Sequence, residues 1–138
     1  MLLPEIDEKA TIRGCKRKLR EYPRWREIAH DSAEQKITQE FTFMPRGGNG
    51  VSRPVENIAV RRVDAMNELE AIEQAVSGLY RPDYRRILIE KYLEYPTKPN
   101  WQIAQAIGLE RTAFQGLLNN AILAFAELYR DGKLVVER

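Results

Sequence analysis

The chain has one cysteine, one histidine and no apolar run long enough to span a bilayer. Cys15 alone cannot close an intramolecular disulfide, which suits a reducing compartment. Cys15 and His30 together leave too few soft ligands for a zinc site, so neither a metal nor another cofactor is expected. The N-terminus MLLPEIDEK turns acidic after three apolar residues and does not read as a signal peptide. Net charge is also scarce: at +2, the 138-residue chain is no polycation, and any affinity for nucleic acid must come from uneven placement of charge. What is present, 43% hydrophobic and 30% charged residues, is enough for a globular core under a polar surface.

The apolar spacing predicts an all-α protein. In the first segment, about 5–29, Ile12, Cys15, Leu19, Tyr22, Trp25 and Ile28 follow one another at steps of three and four. Asp7 is placed to cap its start, and Pro23 to end or kink the helix near Tyr22. The opposite face is one-sided. Lys9, Arg13, Lys16, Arg17, Lys18, Arg20, Arg24 and Arg26 meet only Glu21, eight cations against one anion, so the rest of the chain is net acidic. Residues 31–44 are ambiguous between a short helix and an extended piece. PRGGNGVSRP, 45–54, holds three glycines and two prolines and reads as a linker. The expected organisation is therefore a basic helical arm over 1–44, a linker over 45–54 and a helical domain over 55–138.

In that domain, Val55, Ala59, Val63, Met66, Leu69, Ile72 and Val76 predict a long helix, with Pro54 in its first turn and Gly78 as its stop. Pro82 and Asp83 open another helix, to about 94, carrying Tyr84, Ile87, Leu88, Tyr92 and Leu93. EYPTKPN breaks that helix with two prolines, and its last residue, Asn100, is placed to cap a helix over about 101–107 that Gly108 ends. A last helix, about 111–130, turns Phe114, Leu117, Leu118, Ala121, Ile122, Phe125 and Leu128 inward, and Asp131-Gly132 closes it. KLVVER is left as a short strand or a frayed tail.

The stretch NWQIAQAIGLERTAFQGLL, 100–118, meets the geometric demands of a helix-turn-helix. Ala104 is small where two helices would cross, Gly108 accepts a left-handed backbone in the turn, and Ile103, Ile107, Leu109, Phe114 and Leu117 fill the angle between the helices. The run RRILIEKYLEYPTKPNWQIAQAIGLERTAFQGLLNNAILAFAEL, within about 82–130, resembles region 4 of the sigma-70 family: Tyr92-Leu93 precede the motif, Ile103-Ala104 fall in its first helix, and Ala121 sits midway along the last helix. One departure is Glu110 at the position before the second helix, where such domains place Ser or Thr. Over nearly its whole length the chain resembles the ArpU-type phage transcriptional regulators, through LLPEIDEKATI, CKRKLREYPRWREIA and PRGGNGVSRPVENIAVRR together with the region-4-like end. That resemblance implies control of late gene transcription, with activation favoured, in phages and prophages of low-GC Gram-positive bacteria, and hence action in the bacterial cytoplasm.

On this reading the partner is double-stranded DNA. Arg111, Thr112, Gln115 and Asn119 are expected to read bases, with Glu110 at the edge and Gly116 allowing close approach of the backbone. Residues 97–138 carry five cations against four anions, too few to hold DNA by phosphate neutralisation. The expected phosphate contacts are therefore Arg13, Lys16, Arg17, Lys18, Arg20, Arg24 and Arg26 of the arm, helped by Arg85, Arg86 and Lys98. RNA polymerase is a second candidate partner, with Asp64, Glu68, Glu70 and Glu73 as the surface for it, and the long central helix is compatible with a homodimer. Two alternatives share the same residues: a packaging module like a small terminase subunit, and an adaptor that binds polymerase without reading DNA. Catalysis is not expected. His30 stands alone, and Gly47-Gly48-Asn49-Gly50 lacks the lysine and helix of a phosphate loop.

Overall fold

A computed structural model of the chain describes residues 5–30 and 52–138, with side chains from residue 60 onward in the second stretch. The described residues are mostly helical and contain no strand. Their elements are α1 (Glu8–Arg20), α2 (22–30), α3 (Ser52–Ser77), α4 (Pro82–Leu88) continuing as a π-helical segment (Ile89–Leu93), α5 (Asn100–Ile107), and α6 (Arg111–Leu128) followed by a 3-10 turn (Tyr129–Asp131). The ambiguous segment 31–44 and residues 45–51 of the expected linker lie outside the described residues.

Local chemistry accounts for most boundaries. Asp7 caps α1, its carboxylate accepting from the Ala10 N–H at 3.1 Å. Glu8 in the first turn and Arg17, Lys18 and Arg20 in the last match the helix dipole. Of the two expectations at Pro23, an end or a kink, the first holds: the helix ends and another begins. The chain turns at Glu21, and Pro23 falls in the first turn of α2, where a missing N–H is harmless. The expected linker ends early, because Ser52 and Arg53 already belong to α3 with Pro54 in its first turn. Gly78 follows the end of α3 without a left-handed backbone; its N–H donates to Gln74 O at 2.9 Å. Pro82 is the first residue of α4.

Two compact units divide the chain: Met1–Tyr22 with Ala71–Arg138, and Pro23–Glu70. In the first unit, α1 packs on α6 and also touches the π-helical segment, and α4 and α5 pack on α6. Thr11, Cys15 and Leu19 form the buried stripe of α1, at steps of four. Ile87, Leu88, Ile103, Phe114, Leu118, Ile122, Phe125 and Tyr129 are also buried. Each large apolar side chain so buried contributes roughly 1.5–3 kcal/mol of transfer free energy. Phe125 and Tyr129 stack with ring centres 5.5 Å apart. Leu128, expected inward, is exposed, and Tyr129 takes the inward place.

The C-terminal tail neither frays nor forms a regular strand. Ile6 and Glu137 make an isolated antiparallel bridge, the Asp7 N–H donates to Val136 O at 2.7 Å, and the Arg138 N–H donates to Glu5 O at 3.1 Å. In the second unit, Ala29, Ala65 and Leu69 are buried. Val63 and Met66, expected inward, are exposed, as is Val60. Along α3 the buried line runs Ala65, Leu69, Ile72 and Val76, at steps of four, three and four. At about 100° per residue, Val63 points to nearly the opposite side from Ala65.

Candidate nucleic-acid interface

α5 and α6 are joined through a tight, hydrogen-bonded turn. Gly108 is left-handed at φ 85°, its N–H donates to the carbonyls of Ala104 and Gln105, and the Leu109 N–H donates to Ala104 O at 2.9 Å. This is the Schellman arrangement, and it needs a residue without a side-chain penalty at positive φ. Ala104 and Ile103 are buried on α5, and Phe114 and Leu118 on α6. Glu110 occupies the N-cap position of α6, and its side chain makes no capping hydrogen bond. Asn100 is not the cap of α5. It is the first helical residue, after Pro99, and its side-chain oxygen accepts from Lys91 Nζ at 2.6 Å.

The outer start of α6 is polar and open. Arg111, Thr112 and Gln115 are exposed, while Asn119 is half-buried and accepts from Gln115 Nε2 at 3.0 Å. A Cβ on Gly116 would meet open space. Between the two helices lies a cleft of about 560 Å³, with Trp101, Gln105, Arg111 and Gln115 on its rim and Ala104 and Phe114 among its lining. Trp101 and Gln105 are surface groups beyond the expected base readers. Trp101 is 68% exposed, and a signal for it was present: it lies off the inward line set by Ile103, Ala104 and Ile107.

The cations divide into engaged and unengaged. Arg85 donates through Nη1 to the carbonyls of Leu79 and Tyr80, tying the α3–α4 turn. Arg86 lies 3.7 Å from Glu90, and Lys98 lies 3.8 Å from Glu94. Lys18 pairs with Glu21 at 3.1 Å and sits 5.9 Å from the Tyr129 ring centre. Among the described residues, Arg13, Lys16, Arg17 and Arg20 have no ion-pair partner, and all four lie off the buried stripe of α1. Arg24 and Arg26, also exposed, belong to the second unit. All of the expected set except Arg24 and Arg26 therefore lies in the compact unit that holds α5 and α6, and within it the first four are the unengaged ones among the described residues.

One further cation stands outside the expected set. Lys91 lies in the π-helical segment, half-buried, 5.5 Å from the Tyr92 ring centre and bonded to Asn100. Burial first, then the nearby charges of Arg20 and Lys16, hold its ammonium below the usual lysine value. Burial raises the neighbouring Tyr92 phenol, with Arg20 opposing. Within 89–93, Lys91 is a lone cation beside Glu90, and nothing in its own stretch marks it.

A relative from Streptococcus phage O1205, named "Putative autolysin regulatory protein ArpU", is 86% identical over 138 residues and covers 100% of both chains. The chain belongs to the ArpU family. A second relative of the same name, from Enterococcus hirae, is 25% identical over 134 residues, covering 97% of this chain and 96% of the relative. No family model matches the chain. No solved structure matches it either. Among the described residues, no helix is long and apolar enough to cross a membrane.

Proposed function

We propose that this ArpU-family chain is a sequence-specific DNA-binding regulator of phage or prophage genes. In this reading α5, the Gly108 turn and α6 are a helix-turn-helix of the sigma-70 region 4 kind, acting in the host cytoplasm. The observation that carries the reading is the pairing of a buried Ala104–Phe114 junction with an exposed Arg111, Thr112 and Gln115 at the start of the second helix. A recognition helix enters the major groove by that end. Arginine can hold the two acceptors of guanine, and glutamine can pair bidentately with adenine. The Gln115–Asn119 hydrogen bond fixes the direction of the glutamine amide before any base arrives. Phosphate contacts fall to Arg13, Lys16, Arg17 and Arg20, fixed in the same compact unit rather than on a detached arm.

The relatives' name supports an autolysin gene as the controlled target. The resemblance to ArpU-type regulators supports activation, with RNA polymerase as the partner. The test is selection of bound fragments from the phage and host genomes, followed by titration of the winner against random duplex at several salt concentrations. An enriched upstream site, bound at least about a thousandfold more tightly than random DNA, is the expected result. Salt-sensitive binding with no enriched fragment overturns sequence-specific regulation and points instead to packaging or to a polymerase adaptor.

A further inference from the structure

We propose that Lys91, together with Lys16 and Arg20, forms a preformed grip for one DNA backbone phosphate at the start of α5. The proposal rests on the DNA-binding reading above and adds to it a residue, Lys91, and a place. Lys16 and Arg20 are four residues apart and so share one flank of α1. The buried stripe Thr11, Cys15 and Leu19 fixes the rotation of that helix, and α1 packs against the segment Ile89–Leu93 that carries Lys91. Lys16 and Arg20 thus lie within electrostatic reach of Lys91, which is itself bonded to the first residue of α5.

That arrangement opposes folding. Like charges repel, and burial of part of the Lys91 stem removes water that would screen them. Within the described residues the cluster has no carboxylate partner; the ammonium of Lys91 is held by the neutral side-chain oxygen of Asn100 at 2.6 Å. That bond uses one of three ammonium donors and directs the group without neutralising it. A phosphate would supply the missing negative charge and accept from several of these donors at once. Its place beside the start of α5 fits DNA rather than a small anion in isolation. In helix-turn-helix docking the first helix crosses the backbone while the second enters the groove. The same α5 carries Trp101 and Gln105 toward the cleft rimmed by Arg111 and Gln115, so a phosphate at its start and bases at the start of α6 can belong to one duplex.

The test uses the full chain with Lys91→Gln, Lys16→Gln/Arg20→Gln and Arg111→Ala, each titrated against the selected duplex and a random duplex across salt concentrations. Lys91→Gln keeps a donor for Asn100 and removes one like charge. It is expected to weaken both duplexes by the same factor, to reduce the slope of log affinity against log salt by about 1, and to melt no lower than the parent chain. A scan with single neutral methylphosphonates is expected to find one position whose effect disappears in the Lys91→Gln background. If the parent chain binds DNA and Lys91→Gln leaves affinity and salt slope unchanged, the grip is refuted while the DNA-binding reading stands. Weaker binding with a lower melting temperature and no paired methylphosphonate position would make Lys91 structural and also refute it. If the parent chain binds no duplex at all, the DNA-binding reading falls and the grip falls with it.

Discussion

The Thr11 hydroxyl in α1 accepts a hydrogen bond from the Val136 backbone N–H at 3.0 Å, across 125 positions of sequence. Thr11 is fully buried, and this bond sits beside the one from the Asp7 N–H to Val136 O. Residues 5–11 and 136–138 are therefore stitched together next to the α1–α6 contact. Thr11→Val preserves the shape and deletes the acceptor. It is expected to lower unfolding free energy by about 1–2 kcal/mol, the net worth of one bond plus part of a stranded N–H. Urea unfolding checks this; an unchanged midpoint would show that water replaces the hydroxyl freely.

Two glycines in the α5–α6 region should respond with opposite signs. Gly108 has φ 85°, and a Cβ there would meet nothing within 4 Å, so alanine is penalised by the backbone alone, by roughly 1–2 kcal/mol. Gly116 lies inside α6 without a positive φ and with open space beside it, so alanine is expected to stabilise by about 0.5–1 kcal/mol. Thermal melts of the two variants decide. If Gly116 permits close approach to DNA, Gly116→Ala will at the same time weaken binding while raising the melting temperature.

Cys15 should be silent to thiol reagents in the native protein. Burial pushes its thiol up to about 12 from an ordinary 9.0, and the side chain is fully covered. Labelling at pH 8 is expected to proceed only as fast as the protein opens, and to become rapid in denaturant. The raised value also sets a pH dependence. The unfolded thiol ionises near 9 while the folded one does not, so its contribution is complete below pH 9 and is lost as pH rises toward about 12. Cys15→Ala should flatten that alkaline part of the stability curve.

The proposed division of labour predicts two different binding defects. Arg111→Ala and Gln115→Ala should each reduce discrimination between the selected site and random DNA by about 1–3 kcal/mol. Arg13→Ala/Arg17→Ala should weaken both duplexes alike and lower the salt slope by about 2. Trp101→Ala, at an exposed position, should change stability by no more than about 0.5 kcal/mol. A uniform loss from all these variants, with the discrimination ratio intact, would refute the assignment of base reading to α6.

The features legible in the sequence are those set by neighbours within one helical turn. The Asp7 cap, the left-handed Gly108, the helix-opening Pro82 and the inward Phe114, Leu118, Ile122 and Phe125 all follow from backbone chemistry and a 3.6-residue period. Tertiary structure decided what those local rules do not encode. It placed α1 against α6, exposed Val63 and Met66 while burying Ala65, and committed Arg85 to backbone carbonyls. It also bonded Lys91 to Asn100 and put it within reach of the charges of Arg20 and Lys16. A helical stripe tells which side chains can face the same way, whereas the partner of that stripe is set by packing between segments far apart in sequence, and only that packing gives a charge its neighbours.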